Sequence, residues 1–227
     1  MSRDDVLIQL KKEIERTDAQ TELECGKLLK NIAWVLLTIA DGNTTYVRTE
    51  QICSTGRVDI VVLANSLQPG GNFRREAHIW ELKAPQVPLF DLKTQSQAQP
   101  SVHLYSAETQ LMHYCYAVSN DAVLLRRWGI LSPDHIRLGG IIIGRDINFV
   151  ACNEEDKTLA KQLACEAHEI REVFFYRKLN LKLWTWDKVI TLAESQSLSH
   201  HKFQGDPKIS IDLHESVDLS ATIIADP

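Results

Sequence analysis

The sequence contains no Cys-x-x-Cys pair; its five cysteines stand singly at positions 25, 53, 115, 152 and 165. An odd, scattered set argues against a disulfide framework or a zinc knuckle and suits a reducing, cytoplasmic compartment. G-x-x-x-x-G-K-[S/T] and G-x-G-x-x-G are both missing, so no nucleotide cofactor is evident. The longest apolar run, near IAWVLLTIA, falls well short of the ~20 residues that span a bilayer. The first residues, MSRDDVLIQL, lack the charged-then-apolar order of a signal peptide. A cytoplasmic protein without membrane contact is therefore expected. Positive charge is in deficit, with 25 Lys and Arg against 30 Asp and Glu for a formal net charge of −5. Contact with nucleic acid would have to come from local basic patches or bound cations. No internal repeat is visible.

What is present is a normal core composition. Hydrophobic residues make up 44% of 227 positions, enough for one large domain or one domain with an appendage. Residues 2–16 read as an amphipathic helix with Val6, Leu7, Leu10 and Ile14 on one side and no obvious partner within the chain. Thr21 followed by Glu22 and Glu24 reads as a capping box opening a second helix to about Leu37. Strands are expected at 45–52, 57–64 and 77–84, the last two joined through a loop with Pro69-Gly70-Gly71 and Arg74-Arg75. Residues 87–101 read as a polar loop. A helix at 104–119 should bury Ala107, Leu111, Cys115 and Val118. Beyond it come a strand at 138–145, a long helix at 153–179, a strand at 181–186 and a helix capped by Asp187. This order predicts an α/β fold, a central mixed sheet flanked by helices. The expected division is an N-terminal helix (1–18) available for oligomerisation, a main domain (19–194) and a flexible C-terminal extension (195–227). Within that extension, KISIDLHESVDL reads as a strand or as unfolded chain, and His200-His201 as polar filler rather than a metal site.

The stretch HIWELKAP, residues 78–85, ends an apolar strand with an acid and a base. Period-two alternation puts Glu81 and Lys83 on one face. Asp59 interrupts the preceding apolar strand, RVDIVVLA, and pairing of the two strands would bring Asp59 to the same sheet edge. Two carboxylates and the Leu82 backbone carbonyl suit a hard divalent cation such as Mg²⁺, with Mn²⁺ as a substitute. Lys83 would then hold a phosphate or orient the attacking water. The plain alternative is a solvent-facing salt pair, which contributes little. Gln110 and Tyr114, four apart on the next helix, share a face.

Asp59, Glu81 and Lys83 form the D-x(n)-E-x-K pattern and resemble the active site of the PD-(D/E)XK nuclease superfamily, with its restriction-endonuclease-like fold; Gln110 and Tyr114 resemble the Q-x-x-x-Y motif of several of its branches. More narrowly, TELECGKLLKNIAWVL, GRVDIVVL, HIWELKAP, SAETQLMHYCYAV, GGIIIGRD and LKLWTWDKVI resemble, in order and spacing over residues 20–193, the catalytic domain of the Shedu anti-phage defence family. Ile32-Ala33 departs from that family's Asn-Pro. The resemblance implies a Mg²⁺-dependent endodeoxyribonuclease acting in phage defence as a homo-oligomer. Asp59, Glu81 and Lys83 would be its metal and catalytic residues, Gln110 their support and Glu22 an added acid. Arg57, Arg74, Arg75 and Arg145 are candidates for contacting DNA, with Arg126-Arg127 a weaker pair. The alternatives are a catalytically silent module of the same fold that binds nucleic acid or a phage or regulatory protein, and a structural salt cluster on an unrelated α/β fold.

Overall fold

The computed structural model describes residues 2–18, 20–37, 43–53, 56–94, 96–152 and 157–200. Helix α1 (Arg3–Glu13) opens on a capping box: the Ser2 hydroxyl accepts from the Asp5 N–H, and the Asp5 carboxylate accepts from the Ser2 N–H. Its stripe of Val6, Leu7, Leu10 and Ile14 is buried in a core shared with α2 (Thr21–Leu29) and α7 (Trp186–His200). The helix therefore has a partner within the chain, against the expectation from sequence, and its stripe gives no support to an oligomerisation role for residues 1–18.

Thr21 is not the cap of α2. The N-cap is Gln20, whose N–H donates to Asp18 Oδ1 at 2.9 Å, while the Thr21 hydroxyl donates back to the Asp18 carbonyl at 2.8 Å. The short Asp18 carboxylate reaches the turn before any capping box can form. The expected run to Leu37 also divides. Regular α-helix stops at Leu29, and Lys30–Leu36 continue as a 3-10 turn kinked at Ile32 (φ −123°, ψ 21°).

Five strands form the main sheet in the order β1-β2-β3-β6-β8. Strands β1 (Asn43–Cys53), β2 (Gly56–Leu67) and β3 (Phe73–Leu82) make an antiparallel meander. Strands β6 (Ile136–Ile142) and β8 (Lys182–Trp184) then add in parallel to β3. The sheet is mixed, as expected, and apolar on both faces. Val61, Leu63, Ala77, Ile79 and Ile141 face α3 (Val102–Ser119), α4 (Ala122–Trp128) and α5 (Lys157–Arg171). Ile60, Val62, Trp80, Leu82 and Ile142 face α1, α2 and α7. Burial on both faces explains why β2 reads as a near-continuous apolar run.

The glycine pair in LGGIIIG serves β3. A Cβ on Gly139 would stand 2.3 Å from Trp80 Nε1, and one on Gly140 would stand 2.4 Å from the Lys182 carbonyl oxygen. Removing both side chains lets β6 pass the fully buried Trp80 and still reach β8.

Residues 87–101 are not a plain loop. They hold β4 (Phe90–Thr94) and β5 (Gln97–Pro100), which join β7 (Val150–Ala151) in a small second sheet. Phe90 and Ala98 anchor that sheet in the α3–α5 core, a signal masked by the glutamines around them. The expected helix at 153–179 is described from Lys157 and opens into a π turn at Glu172–Tyr176 before α6 (Arg177–Leu179). The wider turn carries Tyr176 inward, where its hydroxyl and Arg171 both reach the buried Glu108 of α3. A buried carboxylate needs such partners.

Cys115, expected in the core, is half-buried at its margin; burial pushes its thiol up to about 12. Asp187 does not cap α7. Thr185 does, its hydroxyl accepting from the Lys188 N–H at 3.1 Å. Helix α7 runs to His200, past the expected boundary at residue 195. His201 and KISIDLHESVDL lie outside the described residues. Among the described residues, no helix is long and apolar enough to cross a membrane.

Candidate active site

The site forms where β2 and β3 stop pairing. Their last pair is Ile60 with Trp80, and one step further the same antiparallel register sets Asp59 opposite Glu81 on one face. The ladder does not continue normally there. The Leu82 N–H donates to Asp59 Oδ2 at 2.9 Å, so a side chain takes over from the backbone. The Lys83 N–H points the other way, to the Ile142 carbonyl on β6. By strand alternation, the Leu82 carbonyl therefore lies on the Asp59 side.

Glu81 is 2% exposed. Its Oε1 accepts from Lys83 Nζ at 2.6 Å, and the same amine donates to Gln110 Oε1 at 2.7 Å. Glu81 Oε2 is buried, and among the described residues no N–H or O–H donor reaches it. Burial, then the adjacent Asp59 charge, pushes the Glu81 carboxyl up to about 8, against the pull of Lys83. Asp59 is also raised, chiefly by burial; the Leu82 N–H, Lys83 and a hydrogen bond from Glu81 oppose that rise. Burial thus pushes both carboxyls toward their protonated forms, and the Asp59 charge drives Glu81 the further. Two neighbouring carboxyls, one oxygen without a donor, and a backbone carbonyl on the same side make a donor set that fits Mg²⁺. Among the described residues no group of three His, Cys, Asp or Glu side chains forms a ready-made metal cage. Mg²⁺ does not require one, because it commonly keeps several waters beside one or two carboxylates.

Glu22, from the first turn of α2, reaches the rim from the other side of the sheet. Burial raises its pKa, as does the Asp59 charge, while Lys83, the Ala84 N–H and His103 favour its ionised form. Tyr114 lies on α3 with its ring against Gly56, where an added Cβ would come within 3.2 Å of the ring. Burial and the charges of Glu81 and Asp59 raise its hydroxyl. Asp59, Glu81, Lys83, Gln110, Glu22 and Tyr114 are thus brought together.

The arginines behave differently. Arg57 is exposed on β2 two residues before Asp59, close enough to favour the Asp59 carboxylate. Arg74 and Arg75 are not in a loop but on β3, six and more residues from Glu81, which is ~20 Å along a strand. There Arg74 pairs with Glu76 at 2.7 Å, and Arg75 donates to Asn65 and to the Trp128 carbonyl. Arg145 is held by Glu15 at 2.7 Å and Asp187 at 3.1 Å, fastening the end of α1 to α7. It serves the fold. Arg126 and Arg127 are exposed in the last turn of α4.

Sequence reasoning missed two supports. Trp186 Nε1 donates to the Lys83 carbonyl at 2.8 Å, 103 residues away in sequence, and no local pattern announces it. Ser106 Oγ lies 3.5 Å from Gln110 Oε1; its i, i+4 spacing was legible. A separate cleft of about 470 Å³ runs along β8 and shares no residue with this constellation. No family model matches the chain, and no curated protein matches it either.

Proposed function

We propose that the protein is a Mg²⁺-dependent nuclease of the PD-(D/E)XK type, with Mn²⁺ as a substitute, that hydrolyses DNA phosphodiester bonds. What the resemblance to the Shedu family implies for that activity is cytoplasmic anti-phage defence by a homo-oligomer. The observation that carries this reading is the pair of buried Glu81, with an oxygen that no donor among the described residues reaches, and half-buried Asp59, beside Lys83. Asp59, Glu81 and the Leu82 carbonyl would hold the cation. When bound, Mg²⁺ makes water more acidic and offsets negative charge building on phosphate.

The protein's own groups do the rest. Lys83 has three hydrogens to donate and uses two on Glu81 and Gln110, which leaves one for a phosphate oxygen or the attacking water. Gln110 and Glu81 fix the direction of that amine. The Ile142 carbonyl of β6 holds the backbone N–H of Lys83, and Trp186 holds its carbonyl. Arg57 and Glu22 set the charge at the rim.

The test is cleavage of plasmid and linear DNA with Mg²⁺ or Mn²⁺, and with EDTA as control. Asp59→Ala, Glu81→Ala and Lys83→Ala should each lose roughly 10³-fold or more in rate, with unchanged circular dichroism. Full activity in all three variants, or cleavage indifferent to EDTA, contradicts the assignment. The second reading, a catalytically silent module of the same fold that binds a phage or regulatory protein, is favoured by one observation: Arg74 and Arg145 are committed to internal ion pairs, which withdraws them from DNA. Neither cleavage nor retention of DNA in a gel shift under any of these conditions would select it.

A further inference from the structure

Strand β8 ends the main sheet, and no strand among the described residues pairs with its outer edge. The Ile143 N–H donates to the Trp184 carbonyl, which fixes the alternation: Lys182 and Trp184 bond toward β6, and the Leu183 amide and carbonyl point outward. Leu183 takes no backbone partner on that side among the described residues. The cleft of about 470 Å³ lies along this edge, with all of residues 181–185 in its wall. Leu89, Phe149, Leu181 and Leu183 give it an apolar side, and Arg177 and Lys188 stand in its lining as cations. Three cations in the lining, Arg177, Lys182 and Lys188, stand against two acids, Asp146 and Glu172. Asp146 accepts from the Thr185 hydroxyl at 2.7 Å and Glu172 lies 3.8 Å from Arg177, so the excess charge is positive. An open strand edge, an apolar wall and cations fit an extended, alternating, acidic peptide.

The chain itself carries such a peptide. Lys208–Leu213, KISIDL, alternates Ile209, Ile211 and Leu213 with polar residues; it holds one cation, Lys208, and one acid, Asp212, and two more acids, Glu215 and Asp218, follow it. Its reach is sufficient. Helix α7 begins directly after β8 and ends at His200, 15 residues on, a rise of ~22 Å. The eight residues from there to Lys208 extend up to ~26 Å. We propose that the outer edge of β8 is a strand-acceptor groove and that its occupant is the segment Lys208–Leu213 of this chain, added by backbone pairing to Leu183. The inference is independent of the nuclease reading, since the groove shares no residue with the acid pair.

Hydrogen exchange on the full chain, without metal or DNA, tests it. The Leu183 amide should be protected in the wild type. Ile211→Pro, which removes a donor and breaks the added strand, should cut that protection roughly tenfold or more while leaving the Ile141 amide in β6 unchanged. Asp212→Lys, set against Arg177 and Lys188, should cut it by a smaller factor. Protection that rises with protein concentration, together with a dimer in light scattering, would show the segment arriving from a second copy and still support it as the occupant. A Leu183 amide that exchanges freely in the wild type, or protection untouched by both variants, overturns the proposal. So does protection acquired only on adding a foreign peptide.

Discussion

Strand β3 carries two buried glutamates, one near each end, and they are treated in opposite ways. Glu76, 6% exposed, is clasped by Arg74 at 2.7 Å and by Arg137 at 2.9 Å. Glu81, 2% exposed, has one amine on one oxygen, no donor on the other among the described residues, and a second carboxyl opposite. A buried charge costs several kcal/mol unless it is paired. At Glu76 the protein pairs it doubly. At Glu81 it leaves the charge in part unanswered, and the carboxyl responds by holding its proton up to about 8. An acid that serves the fold receives its cations from the chain; an acid left short of them is poised to take one from outside.

Exchanging the fates of the two ends is the way to break this comparison. The largest effect should come from Glu81→Gln, which should lower metal-dependent cleavage by roughly 10³-fold yet leave resistance to urea equal or higher. Glu76→Gln should do the reverse, costing ~3 kcal/mol in urea unfolding because two guanidiniums lose their carboxylate, with the acid pair intact. A smaller change should appear in the pH dependence of stability. Between the unfolded value of 4.5 and the folded value of about 8, the folded protein holds a Glu81 proton that the unfolded chain has released. Stability from this group is thus full below pH 4.5 and is lost as pH rises through 8, at no more than ~1.4 kcal/mol per pH unit. Glu81→Gln should flatten that slope in thermal melts from pH 5 to 9. Gln110→Ala, which frees one hydrogen of Lys83, should reduce cleavage by only ~10-fold. The smallest effect is expected from Arg145→Ala, ~1 kcal/mol in urea, with cleavage unchanged, since its partners are Glu15 and Asp187 rather than substrate.

The acid pair and Lys83 were legible in the sequence because the signal is local: charges inside apolar strands that pair in register. The mixed sheet was legible for the same reason, from the alternation of the β2 and β3 runs and the glycine pair of β6. What escaped was set by distance or by competition. Asp18 displaced Thr21 as the organiser of the turn before α2. Phe90 and Ala98 anchored a second sheet within a glutamine-rich stretch. Arg74 and Arg145 read as anion-seeking cations, yet their carboxylates, Glu76 and Asp187, are close in space, and that of Arg145 is 42 residues away in sequence. The stripe of α1 suggested a second chain because nothing in its own sequence names α7 as its cover.

The central claim is that Asp59 and Glu81 jointly hold one divalent cation. Calorimetric titration of Mn²⁺ into the wild type at pH 7, repeated in two buffers of different ionisation enthalpy, measures this directly. The expected result is one ion per chain with close to one proton released, the Glu81 proton, and with binding lost in Asp59→Asn. An absence of saturable binding, or binding that releases no proton and survives Asp59→Asn, would contradict it.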